Sequence, residues 1–239
     1  MIPWLAPGAP FPPVRQALRR PDGLLCASDE LGAARVLEAY RLGIFPWYSE
    51  GQPVLWWSTD PRMVLHTAEL RVTDSLRRRY RKLKAAGMEV RCDTAFPAVI
   101  TACAAPRDAD GGTWINQAMM ATYTELFEQG VAHSIETWID GQLAGGLYGL
   151  SIGRMFYGES MFMRVSDASK IALLHLVDLL CRQGCPMIDC QQQTAHLASM
   201  GARPVPREAF VREVARLTAL PGLIPWPAGE SLSLDVLSA

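Results

Sequence analysis

AHSIETWIDGQLAGGLYGLSIGRMFYGESMF, residues 132–162, is three apolar or alternating runs joined by Asp140-Gly141 and Gly153-Arg154. An Asp-Gly pair between two such runs predicts a β-hairpin, because a type I′ turn needs φ > 0 at both central residues. The stretch therefore predicts an antiparallel meander of three strands. Ser166 to Gly184 then predicts a helix. Ile171, Leu174, Val177 and Cys181 recur near helical spacing, Ser166 or Asp167 can cap the start, and Gly184 ends it. Met187 to Cys190 is short and apolar, as a buried strand returning to the sheet would be. Meander, helix and strand make a mixed α/β (α+β) core, with Glu159, Asp189 and Gln191 expected on neighbouring strand ends.

The rest of the chain gives this core ample material. Of 239 residues, 49% are hydrophobic and 20% charged, an ordinary globular balance that suits one large domain or two unequal ones. A formal net charge of −1 argues for no polyanionic partner by itself, so charge distribution has to decide. The six cysteines show no C-x-x-C spacing and read as free thiols of a reducing compartment rather than as a metal site. MIPWLAPGAPFPP has prolines where a secretory signal needs an unbroken apolar helix, and no run of about 18 apolar residues exists. The expectation is a cytoplasmic protein without a membrane span.

In chain order, residues 1–23 are proline-rich and predict an irregular surface arm. A helix is expected from Ser28, with Leu31, Ala34, Leu37 and Tyr40 on one face and Gly43 at its end. In IFPWY (residues 44–48), proline inside an aromatic run predicts a fixed turn, with Trp47 placed to face a ligand. Ser58-Thr59-Asp60-Pro61 predicts a turn between two short strands. RVTDSLRRRYRKLKAAG (71–87) predicts an amphipathic helix opened by Asp74 or Ser75, with Leu76, Tyr80 and Leu83 inward. Arg71, Arg77, Arg78, Arg79, Arg81, Lys82 and Lys84 put seven of the 23 basic residues into 14 positions against one acid. A solvated face usually mixes signs, so this stripe is the footprint expected for a phosphate backbone. A second helix is expected from Asn116 to Gln129, with Met120, Tyr123 and Phe127 inward. A boundary near residue 85 would divide a smaller N-terminal domain, 1–85, from a catalytic domain, 86–239.

The order of meander, helix and strand resembles the acyltransferase fold of the N-acetyltransferase superfamily. The loop before the helix, MRVSDASK, lacks the glycines that cradle a coenzyme A pyrophosphate there, although a helix N-terminus could hold one phosphate. No G-x-x-x-x-G-K-S/T and no H-E-x-x-H occur. His133 and His196 lie in apolar surroundings and read first as core histidines.

GIFPWY, LWWSTDPR, GTWI, AHSIE, GGLYG, FYGESMF, ASK-x-AL, IDCQ and HLASMGA, in this order over roughly residues 20 to 210, resemble the signature blocks of bacterial leucyl/phenylalanyl-tRNA–protein transferases. Any one block is weak evidence; nine in order are specific. The resemblance implies transfer of Leu or Phe from aminoacyl-tRNA to a protein's N-terminal Arg or Lys, marking it for the N-end degradation pathway. It further implies the acyltransferase fold, no metal, no cofactor, no membrane and no DNA partner. Chemistry agrees with it: the donor ester carries its own activation, and aminolysis needs a positioned neutral amine.

By the same resemblance, Asp189 and Gln191 relay the proton and orient the amine, with Gln191 as an acceptor rather than a base. Glu159 and Asp189 are the acids that would bind a basic acceptor. Trp47, Leu147, Phe156, Leu176 and Ile188 would form the donor side-chain pocket, which rejects β-branched chains by shape. Tyr40, Trp47 and Trp114 would stack near the terminal adenosine. Arg77, Arg78, Arg79, Arg81, Lys82 and Lys84 would hold the tRNA backbone. Two other readings stay open from sequence: a coenzyme A-dependent N-acetyltransferase, and a tRNA- or peptide-binding module that transfers nothing.

Overall fold

A small sheet forms at the N-terminal end of the computed structural model, which describes residues 2–105, 113–223 and 225–234. Its strands are β1 (Trp4–Leu5), β2 (Leu24–Ser28), β3 (Phe45–Pro46) and β4 (Val54–Trp57), in the order β1-β2-β4-β3. Helix α1 (Ala33–Arg41) lies between β2 and β3 in the chain. The helix expected from Ser28 is corrected here. Residues up to Ser28 are a strand because Cys26 and Ala27 are buried against β4, and Trp56 Nε1 donates to Ser28 Oγ at 2.9 Å. The buried face of α1 is accordingly Ala33, Val36, Ala39 and Tyr40, and Gly43 follows it with φ 75°.

β5 (Arg62–His66) follows the Ser58–Pro61 turn and leaves this sheet for a larger one. The turn is where the sequence expects it; what the sequence does not show is that its two strands belong to different sheets. Helix α2 (Asp74–Ala85) is capped by Thr73, whose hydroxyl accepts from Leu76 N at 3.2 Å, one residue ahead of the expected Asp74 or Ser75. Leu76, Tyr80 and Leu83 face inward as expected. Each such fully buried side chain contributes about 1.5–3 kcal/mol, enough to hold a helix whose outer face is almost wholly cationic. Then come β6 (Glu89–Cys92), α3 (Phe96–Ala104) and α4 (Gln117–Glu128). Asn116 caps α4, and its buried stripe is Met119, Thr122, Tyr123 and Leu126, one position round from the expected face. Met120 and Phe127 remain at the edge of the same core.

The expected meander is present as β7 (Ala132–Ile139), β8 (Gln142–Ile152) and β9 (Met155–Met163). Asp140 and Gly141 have φ of 51° and 70°, the pair of positive values a type I′ turn requires. Close packing explains two of the meander's glycines. A Cβ on Gly145 would come within 2.6 Å of Ala168 Cβ, and one on Gly149 within 2.2 Å of Tyr157 O.

α5 (Ala168–Arg182) covers the meander and is buried along most of its length. Its N-cap, Asp167, has φ 66° and makes no capping bond; the carboxylate reaches Lys170 Nζ at 2.7 Å instead, so the expected side-chain cap is corrected. β10 (Met187–Asp189) returns parallel to β9 and antiparallel to β5. α6 (Ala195–Ser199), β11 (Arg203–Val205) and α7 (Arg207–Thr218) complete the order. The large sheet runs β11-β5-β10-β9-β8-β7-β6, antiparallel except at β9–β10. The expected mixed α/β class, meander, helix and returning strand are all observed. Among the described residues no helix is long and apolar enough to cross a membrane.

One buried group sets an acid limit on this fold. His175 of α5 lies under α2, its ring 5.8 Å from that of Tyr80, and neither ring nitrogen has a hydrogen-bond partner among the described residues. Burial, helped by Lys84, pushes its pKa down to about 4. Below the ordinary histidine value of 6.5 the unfolded chain takes a proton that the folded chain refuses, so stability present above pH 6.5 is lost as the pH falls toward 4. His175→Leu is expected to narrow the gap in urea midpoint between pH 7 and pH 5; an unchanged gap would show that His175 does not set it.

Candidate active site

Arg62, on β5, is fully buried, and so is Asp189 at the end of β10. The register pairs Asp189 with Val64, which brings the two side chains together. Arg62 Nε donates to Asp189 Oδ1 at 2.8 Å and Nη2 to Oδ2 at 2.6 Å, a bidentate ion pair across 127 residues of chain. Its guanidinium carbon sits 4.4 Å from the centre of the Phe45 ring and 4.7 Å from that of Phe210, and Nη1 donates to Gly43 O at 3.3 Å.

Gln191 hangs from this pair. It has φ 51°, a left-handed conformation uncommon outside glycine. Its N–H donates to Asp189 Oδ1 at 2.9 Å, and its carbonyl accepts from Met63 N and Thr59 Oγ1, each at 3.3 Å. The side-chain Nε2 is buried and has no partner among the described residues. Gln191 lines a cavity of about 850 Å³, within the usual range for a small-molecule site.

Leu65, Leu147, Leu173, Leu176 and Ile188 give this cavity an apolar end. Trp47 and Trp114 line it too; Trp47 is 38% exposed and meets Trp57 edge-on at 5.3 Å. Glu159 is the one carboxylate on its wall among the described residues. It lies inside β9, not at the strand end expected from sequence. Tyr40 and Tyr123 donate their hydroxyls to its two oxygens, at 2.5 and 3.0 Å. Burial pushes its pKa up to about 7, outweighing the two hydroxyls, which act to lower it. Both tyrosines are held well above their ordinary value, by burial first and then by the neighbouring carboxylate.

The structure thus brings Trp47, Trp114, Leu147, Leu176, Ile188, Glu159 and Gln191 to one cavity. Three residues expected in the site stand behind its wall. Tyr40 is fully buried, with its hydroxyl on Glu159 and its ring edge-on to Tyr157, leaving no face for an adenosine. Phe156 is fully buried and fills the space over Gly149. Asp189, with both oxygens bound by Arg62, does not open on the cavity. Sequence reasoning missed Arg62, Tyr123 and Leu173. Arg62 stands in the quoted LWWSTDPR block, but its partner is visible only once β5 and β10 pair.

On the described part of the basic helix, Arg78, Arg81, Lys82 and Lys84 are exposed and Arg77 and Arg79 half-buried. Cys190 also lines the cavity, and burial pushes its thiol up, away from the reactive thiolate. His133 pairs with Asp93 at 2.7 Å and stacks on Trp226, away from the cavity, while His196 lines it. Among the described residues, no group of three or more His, Cys, Asp or Glu is placed to hold a metal ion.

A family model described as leucyl/phenylalanyl-tRNA protein transferase matches residues 64–215, and a model of that family's N-terminal domain matches 29–60. The leucyl/phenylalanyl-tRNA–protein transferase of Bordetella bronchiseptica is 57% identical over 242 residues, covering 99% of this chain and 95% of its own. The chain belongs to the leucyl/phenylalanyl-tRNA–protein transferase family. The Nitrosomonas europaea transferase is 54% identical with 93% of each chain covered, and that of Chromobacterium violaceum 57% identical with 88% and 89% covered. This transferase is therefore an aminoacyltransferase, an enzyme that takes a leucyl or phenylalanyl group from tRNA to a protein. Its two family models meet at the turn where the chain passes from the small sheet to the large one.

The ion pair behind the transferase's cavity can be tested apart from its chemistry. Arg62→Leu strands a buried carboxylate and is expected to cost about 3–5 kcal/mol. Adding Asp189→Leu should recover most of that stability in urea unfolding. A double variant no more stable than Arg62→Leu would show that the pair's burial is not the source of the cost.

Proposed function

We propose that the acceptor is a protein with an N-terminal Arg or Lys, that its positive end is drawn to Glu159, and that the product is marked for N-end-rule degradation in the cytoplasm. One observation carries the reading: Glu159 is the one acid among the described residues on the wall of a cavity whose lining is for the larger part apolar and aromatic. A cation entering that cavity has this carboxylate as its counter-charge, in surroundings where charge-assisted bonds are strong.

On this reading the leucyl side chain fills the space between Leu147, Leu173, Leu176 and Ile188, and the adenine stacks against Trp47 or Trp114. The acceptor's amine nitrogen attacks the ester carbonyl carbon. A C–N bond forms, the bond from carbon to ribose oxygen breaks, and the amine gives up one proton while the released oxygen gains one. Nothing is oxidised or reduced. Gln191 orients the amine through its side-chain amide. Asp189 acts as a positioning residue, holding the Gln191 backbone with the help of Arg62. The exposed cations of α2 meet the tRNA backbone, and the apolar packing of Leu76, Tyr80 and Leu83 keeps that face outward.

The test is transfer of radiolabelled Leu from Leu-tRNA to Arg-initiated and Ala-initiated peptides. Incorporation into the Arg peptide is expected; equal incorporation into both would overturn the acceptor assignment. Protonation of Glu159 removes its charge as the pH falls through about 7, so the apparent KM for the Arg peptide should rise below pH 7. Glu159→Gln should raise that KM about tenfold or more and flatten its pH profile. A variant profile that still follows that of the wild type would place the titrating group elsewhere. For the tRNA backbone, Arg78→Ala with Lys82→Ala should lower the slope of log K against log salt by about 0.7–0.9 for each phosphate left without its cation. An unchanged slope would make α2 a solvated face only.

A further inference from the structure

Ser169, Leu173 and Leu176 fall at i, i+4 and i+7 of α5, and all three line the cavity. One helix face therefore runs from a polar first turn to the apolar end. At that first turn Ser169 is only 5% exposed, and its hydroxyl has no hydrogen-bond partner among the described residues. The backbone N–H groups of Ala168 and Ile171 find acceptors in Val165 O and Asp167 O. Those of Ser169 and Lys170 find none among the described residues. Orphan N–H groups at a helix start, together with the helix dipole, favour an anion. The negative group nearest in sequence, Asp167, is already paired with Lys170 at 2.7 Å. Arg164 lines the same end of the cavity; its Nη1 donates to Leu143 O at 3.1 Å, and further donors of the guanidinium remain.

We propose that the first turn of α5 is a phosphate subsite, in which Ser169 and Arg164 hold a backbone phosphate of the donor's single-stranded 3′ end. The proposal rests on the reading that aminoacyl-tRNA occupies this cavity. The spacing suits it. Ser169 and Leu176 are seven residues apart, about 10 Å along the axis. The eight bonds from a leucyl Cβ through the ester and ribose to the 5′ phosphorus of the same nucleotide also span about 10 Å. With the side chain beside Leu176, that phosphate falls at Ser169. A coenzyme A pyrophosphate is met by glycine amides in related loops; here the buried hydroxyl and the arginine serve a single phosphate instead.

The experiment uses the full chain and two stable donor analogues, leucyl-aminoadenosine with an amide in place of the ester, one bearing a 5′-phosphate and one without. Each is measured as a competitor of Leu-tRNA in transfer to an Arg-initiated peptide. On the unsubstituted enzyme the phosphate is expected to lower Ki about tenfold or more. Ser169→Ala and Arg164→Gln should each cut that advantage at least threefold while leaving Ki for the unphosphorylated analogue unchanged. Either of two results would overturn the subsite: no phosphate advantage in the unsubstituted enzyme, failure of both analogues to compete included, or a full advantage in both variants. Should Ser169→Ala not fold, the exposed Arg164→Gln decides. Transfer from Leu-tRNA in the uninhibited reaction separates the two levels. Its absence fails the functional reading, whereas transfer without a phosphate advantage fails the subsite alone.

Discussion

A fully buried bidentate pair, Arg62 with Asp189, is the constraint on which the rest of this enzyme depends. Removing two charges from water is costly, and their attraction offsets the cost only with good geometry and further hydrogen bonds. Both conditions hold, since the guanidinium also donates to Gly43 O and lies between the Phe45 and Phe210 rings. The pair therefore joins the end of α1, the small sheet, β5, β10 and α7 at one point. Gln191 takes its left-handed conformation from the same point, through the Asp189 oxygen that its N–H meets. An apolar pair of equal volume could fill this space, but it could not present that acceptor to Gln191. Position, more than stability, is what the charges supply.

Two carboxylates close together in the sheet have been given different partners. Asp189 has an arginine, and Glu159, two residues past the Asp189–Tyr157 pairing, has only tyrosine hydroxyls. Burial then dominates at Glu159 and pushes it up to about 7, with the Asp189 charge adding to the rise and Arg62 opposing it. Asp189 is tied into the framework by its bidentate pair, and Glu159 is a group that can change charge near neutral pH.

The meander was legible because its evidence is local. Asp140-Gly141 states its own turn, and Met187–Asp189 is too short and apolar to be anything but a buried strand. The signature blocks also marked Glu159, Gln191 and Trp47, all of which line the cavity. What stayed hidden depends on pairings between distant parts of the chain. A helix is expected from Ser28, yet its hydroxyl accepts from Trp56 and the residue ends a strand. Asp93 and Thr94 lie just ahead of α3, yet their side chains serve Ser134, His133 and Glu136, and α3 has no side-chain cap. Tyr40 belongs to a helix face in either view; only the fold shows that its hydroxyl ends on a carboxylate 119 residues away.

The basic helix is coupled to the site by what lies beneath it. α2 rests through Tyr80 on His175 of α5, and α5 carries Ser169, Leu173 and Leu176 along the cavity. A charged imidazole there would be out of water and would face Lys84 and Arg182; burial first, and those cations second, push its pKa down. The helix that offers charge to the outside thus stands on an uncharged base. On the proposed reading, affinity for the body of a tRNA and placement of its last nucleotide are carried by two faces of one packed pair of helices.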